Sequence, residues 1–184
     1  RSFPDTSDME SQMYPSVDSI RAFLKEHPEK PFLCCEYTHS MGNSNGGMFK
    51  YTDLEETEPR YQGGFIWDFC DQSLLQRDAW GTPYEAYGGD FGERPCDYTF
   101  SGNGIVAGDR YEYPKLQEIK YNYQNLRIKI DEKHFTVKNR NLFTPASDFA
   151  CGVRLEKDGE FLLEKPVLVS VPPLTEKTYD LPFA

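Results

Sequence analysis

The chain has 184 residues, 38% of them hydrophobic and 15% aromatic, which is enough for a packed core and too much for wholesale disorder. Thirty acidic against twenty basic residues leave a formal charge of −10, which argues against nucleic acid or an anionic membrane as a partner. No apolar run approaches the roughly 20 residues a membrane-crossing helix needs. The cysteines, Cys34, Cys35, Cys70, Cys96 and Cys151, show neither zinc spacing nor a disulfide framework, so a reducing, cytoplasmic setting is expected.

Residues 1–12 are polar and hold one proline, and they read as a loop or the tail of a truncated element. The chain starts at Arg1, with neither an initiator Met nor a signal-peptide pattern, which fits an excerpt from a longer protein. Ser16 is a suitable N-cap for a helix carrying Val17, Ile20, Phe23 and Leu24 on one face, and His27-Pro28 ends it. The apolar run from Pro31 to Cys35 predicts one buried strand that closes on Glu36. His39 and a Gly-rich loop, Gly42 to Gly47, follow, and a helix is predicted from about Gly46 to Glu56. Pro59 breaks that helix, and Gly63-Gly64 introduce a second apolar strand, Phe65 to Phe69.

Helix, strand, helix, strand in this order is the pattern of parallel βα units. An acid at the C-terminal end of a buried strand, opening into a strand-to-helix loop, stands where α/β barrels keep catalytic groups. A lone glutamate there is otherwise an edge carboxylate paired to a base.

Residues 70–111 are rich in glycine and aromatics and predict a long functional loop. Pro114 opens a helix to about Tyr123 with Leu116 and Ile119 on one face. After Asn125 the period becomes two: Leu126, Ile128 and Ile130 alternate with charged residues, and Phe135 and Val137 do likewise. Asp158-Gly159 marks a hairpin, and Val167 to Val171 and Thr178 to Leu181 read as further strands. The fold class is therefore α/β for residues 1–125, followed by an all-β sandwich module over 126–184. Two βα units cannot close a (β/α)8 barrel, which needs about 250 residues, so the chain reads as a fragment or as a small α+β protein.

Five stretches carry a resemblance: C-E-Y-T-H-S-M-G-N-S at 35–44, G-G-F-I-W-D-F-C-D-Q-S-L at 63–74, Y-G-G-D-F-G at 87–92, F-S-G-N-G at 100–104 and D-R-Y-E-Y-P-K-L-Q-E-I-K at 109–120. Together, and in this order, they resemble the large bacterial β-galactosidases of glycoside hydrolase family two. The resemblance implies the C-terminal portion of a TIM barrel, its strands six to eight, followed by part of an immunoglobulin-like β-sandwich.

It makes Glu36 the nucleophile of a retaining glycosidase, which needs an ionised carboxylate at the anomeric carbon and a second, protonated one at the leaving oxygen. Tyr14, preceded by Gln12-Met13 where the family has a proline before Met-Tyr, matches the tyrosine that donates to the nucleophile. His39 matches a sugar-contacting histidine, and Trp67 an aromatic wall of the sugar site. Phe100, through its carbonyl, and Asn103, through its side chain, match a sodium site that meets a galactose hydroxyl. The general acid and the ligands of the active-site magnesium lie upstream of this stretch in the family. Cys96 stands where a family member has an asparagine magnesium ligand, so a second magnesium is not expected.

On residue type alone, His39 is equally a loop histidine bonded to backbone, Trp67 a core tryptophan, Phe100 a packed aromatic and Asn103 a turn residue. Asp68 and Asp71 read as partners of backbone or arginine groups. The implied partners are a β-galactoside and the rest of a homo-oligomeric parent polypeptide. The isolated fragment is expected to be inactive. The rival readings are a β-glucuronidase or β-mannosidase of the same family, and a non-catalytic carbohydrate-binding or assembly module using Trp67 and Trp80.

Overall fold

The computed structural model describes residues 6–183. The chain divides after Tyr123 into two compact units. The first holds β1 (Glu10–Met13), α1 (Val17–Glu26), β2 (Phe32–Tyr37), α2 (Phe49–Thr57) and β3 (Tyr61–Ile66), with the sheet order β1-β2-β3 and every pairing parallel. Ile20 and Leu24 of α1, Phe32 and Cys34 of β2 and Leu54 of α2 are buried together. Helix α1 begins where its sequence places it, with Ser16 Oγ accepting the Ser19 N–H at 3.1 Å.

Residues 10–13 form β1, within and just beyond the stretch read as a loop or the tail of a truncated element, and in the place where the resemblance implies a barrel strand. Its Glu-Ser-Gln-Met sequence has no apolar alternation, and the ladder bonds come from β2. The expected tail over residues 1–5 lies outside the described residues. Strand β3 starts at Tyr61, four residues earlier than expected, so the glycines lie inside the strand. Gly64 is there for close approach, since a Cβ would sit 2.7 Å from that of Cys34. Trp67 consequently stands just past the strand end.

The segment expected as one long loop contains an antiparallel hairpin, β4 (Leu74–Arg77) with β5 (Pro83–Ala86), and a 3-10 turn at Tyr98–Ser101. The hairpin strands are four residues each, and every residue of β4 is exposed, so no burial pattern marked them. Helix α3 (Leu116–Tyr123) closes the unit with Ile119 buried. No described helix is long and apolar enough to cross a membrane.

The second unit is all β: β6 (Leu126–Ile130), β7 (His134–Asn139), β8 (Cys151–Lys157), β9 (Glu160–Val167) and β10 (Glu176–Asp180). Strands β10, β7 and β6 form an antiparallel sheet in that order, and β8–β9 form a hairpin turned by Asp158 and Gly159, both at positive φ. Phe135, Val137, Ala146, Val169 and Val171 make its core. Two details differ from expectation. Strand β9 stops at Val167, and Val169 and Val171 reach the core from outside any strand. Ile128 and Ile130 pair with Val137 and Phe135 and so share their face, but β6 is an edge strand and both are exposed.

Candidate active site

Because β1, β2 and β3 run parallel, the residues that follow them leave the sheet at the same end. Tyr14 follows β1, Glu36 and His39 lie at and beyond the end of β2, and Trp67 follows β3.

The pairing of β1 with β2 slips by one residue between Gln12 and Met13, which sets Met13 opposite Glu36. Tyr14 then turns at a φ of 51°, and its N–H donates to the Glu36 carbonyl at 2.8 Å. The bulge and the left-handed turn aim the phenol back at the strand end, where Tyr14 Oη donates to Glu36 Oε2 at 2.8 Å. Partial burial, then the bond to Glu36, then the charge of Glu36 raise the Tyr14 phenol well above its ordinary pKa. It therefore stays a protonated donor across the working range of an enzyme.

Thr38 also takes a positive φ, 45°, so the chain breaks from the strand direction just before His39. The His39 ring lies 5.9 Å from that of Tyr14 and 5.5 Å from that of Phe100. Its Nδ1 accepts the Met41 N–H at 3.4 Å, which leaves Nε2 to carry the proton of the neutral ring. The β2–β3 ladder continues past both strands: the Trp67 N–H donates to Tyr37 O at 3.3 Å, and the Ser40 N–H to Trp67 O at 2.7 Å. Ser40 is fully buried, and its hydroxyl donates to Asn45 Oδ1 at 3.0 Å. Sequence reading passed over this Ser40–Asn45 pair. Its one signal was an asparagine in a glycine loop, the type that tolerates the left-handed φ of 69° found there.

Asn103 is buried; its backbone carbonyl accepts the Asp68 N–H at 2.8 Å, and its Nδ2 donates to Phe100 O at 3.0 Å. Its Oδ1 is buried without a hydrogen-bond partner. An orphaned buried amide oxygen is a neutral hard donor, the type that suits an alkali or alkaline-earth cation. The Phe100 carbonyl is a donor of the same type, here bonded by the Asn103 amide nitrogen. Among the described residues no group of three or more His, Cys, Asp or Glu could hold a metal.

Asp68 and Asp71 are tied up in structure. Asp68 accepts from the Phe69 N–H and from Gln72 Nε2. Asp71 Oδ1 accepts the Gly104 N–H at 2.6 Å, and Oδ2 accepts the Tyr113 phenol at 2.6 Å. Position 104 admits only glycine, because a Cβ would overlap the backbone of Cys70, Asp71 and Val106.

Residues 2–128 match the family model described as "Glycosyl hydrolases family 2, TIM barrel domain". A β-galactosidase of Halalkalibacterium halodurans is 51% identical over 183 residues, covering 100% of this chain and 18% of that protein. A β-galactosidase of Clostridium acetobutylicum is 49% identical over 173 residues, 94% of this chain and 19% of that protein. A β-galactosidase large subunit of Leuconostoc lactis is 54% identical over 118 residues, 64% of this chain and 19% of that protein. The chain thus spans about a fifth of the length of the curated relatives it matches. The Glu36, His39, Trp67 and Asn103 motifs all fall inside the matched range, and the parallel β1-β2-β3 sheet is a piece of the barrel it describes. The chain belongs to glycosyl hydrolase family 2 and carries part of that family's TIM barrel domain.

Proposed function

We propose that this chain carries the nucleophile of a retaining β-galactosidase, with Glu36 attacking the anomeric carbon of a terminal β-galactoside. The observation that carries this reading is the 2.8 Å bond from the Tyr14 phenol to Glu36 Oε2 at the exit of a parallel sheet. Tyr14 occupies one carboxylate oxygen, Oε2, so Oε1 is the attacking atom. Attack forms the galactosyl ester on Glu36 as the glycosidic oxygen leaves with a proton from a general acid. Water then cleaves the ester, and the sugar departs with its β configuration retained. His39 Nε2–H donates to a sugar hydroxyl, Trp67 presents a ring to a sugar face, and Phe100 O with Asn103 Oδ1 would hold sodium. Bound there, sodium would supply a positive charge that fixes one galactose hydroxyl.

The general acid and the active-site magnesium ligands belong to the rest of the full-length protein, in keeping with the relatives' greater length. The same reading gives residues 126–184 to the start of an immunoglobulin-like sandwich and the parent to a cytoplasmic homo-oligomer. The test is Glu36→Gln in the full-length protein with nitrophenyl β-galactoside, and with the β-glucuronide and β-mannoside as controls. Turnover should fall by at least about 10⁴-fold with galactoside binding kept, because the lost charge acts mainly in the transition state. A loss of only a few-fold, or a preference for either control sugar, overturns the reading. The 184-residue chain alone should show no turnover.

A further inference from the structure

Three residues after the hairpin segment, Tyr113-Pro114-Lys115, touch both loops of the candidate site. Lys115 Nζ donates to the Ser40 carbonyl and, at 3.5 Å, to that of Gly42. Ser40 directly follows His39, and its N–H and hydroxyl are already committed to Trp67 and Asn45, so the ammonium completes its set of bonds. The Lys115 ammonium lies 5.1 Å from the centre of the Tyr113 ring. The Tyr113 phenol in turn reaches Asp71, which holds Gly104 and so the Asn103 turn. Gly42, Asn43, Asp71, Gly102, Tyr113 and Lys115 line one cavity of about 420 Å³ between the two loops. Burial lowers the pKa of Lys115, and the charge of Asp71 opposes that shift. The ammonium is therefore held at a desolvation cost in a place where it touches loop carbonyls.

We propose that Lys115 is a positioning residue that fixes His39 for catalysis by clamping the carbonyls of Ser40 and Gly42. The inference rests on the role given to His39 above. Backbone carbonyls in a glycine loop have no side chain to hold them, and a misplacement of about 1 Å at such a contact can lower rates by about 100-fold. The ammonium acts through His39, so its effect should vanish when His39 is absent.

The experiment is a double-mutant cycle of Lys115→Met and His39→Ala in the full-length protein, read as kcat/KM and KM for nitrophenyl β-galactoside. Lys115→Met alone should lower kcat/KM by about 10- to 100-fold, and in the His39→Ala background it should add almost nothing. Lys115→Arg should restore most of the loss, since a guanidinium also donates to two carbonyls. Should Lys115→Met fail to fold, Lys115→Gln keeps a donor without charge and must show the same coupling to His39 at smaller size. If His39→Ala is crippled but the two losses multiply independently, or if arginine restores nothing, the positioning role is overturned while the nucleophile assignment stands. If His39→Ala leaves kcat/KM intact, the sugar-contacting role of His39 fails, and the positioning role with it.

Discussion

The two units bury apolar strands by different rules. In the first, Phe32 and Cys34 lie fully buried in the central strand of a parallel sheet. Parallel strands leave the sheet at one end, and Tyr14, Glu36, His39 and Trp67 gather there. In the second, the strands are antiparallel, turns alternate between ends, and β7 buries Phe135, Val137 and Asn139 while its edge neighbour β6 exposes two isoleucines. Direction of pairing, more than hydrophobic content, decides which unit can concentrate chemistry.

That contrast can be broken from either side. The largest expected effect is in the second unit: Phe135→Ala, at 3% exposure and stacked on Tyr179, should cost about 3–5 kcal/mol in denaturant unfolding. It should leave kcat per folded molecule of the full-length protein unchanged, and a fall in kcat would show that the two units do not divide the work. Tyr14→Phe reverses the pattern. Losing a hydrogen bond to a charged carboxylate should lower kcat by about 10- to 100-fold, while the denaturant midpoint stays put because Tyr14 is 42% exposed. Kinetics and unfolding on the same preparation check both halves.

The smallest effect is electrostatic and confined to the turn between β6 and β7. Asp131 accepts the N–H groups of Lys133 and His134 at 2.8 Å each, and these bonds hold its carboxyl below the ordinary range. A carboxyl whose folded pKa is depressed binds protons more weakly in the folded state. Its contribution is therefore present above the unfolded value, about 3.9, and is lost as pH falls through the lower folded value. Asp131→Ala should flatten the acid limb of the stability profile and remove a constant amount near neutrality. A profile of unchanged shape would show that those bonds do not favour the ionised form.

Much of the first unit was legible because its signals are properties of side chains. The Ser16 cap, the spacing of Ile20 and Leu24, and the apolar run stopping at Glu36 are written in residue types. What escaped depends on partners. Strand β1 is polar and exists through the ladder of β2, and the start of β3 was hidden because Gly64 marks close approach and not a break. The β4–β5 hairpin was hidden by the exposure of β4. Lys115 was invisible as a site element, since its partners are carbonyls and every residue has one. The family motifs supplied roles for Glu36, Tyr14, His39, Trp67, Phe100 and Asn103 that spacing alone left open.

Position 104 carries a consequence for how sites of this kind are compared. How deep Asn103 sits is decided next door, by a residue with no side chain that fits against the Cys70–Asp71 backbone. Two related barrels could present identical groups to a sugar and still differ in where their amide oxygen stands. An inventory of sugar-facing side chains would miss the cause, because the determinant is an absence of atoms one peptide away.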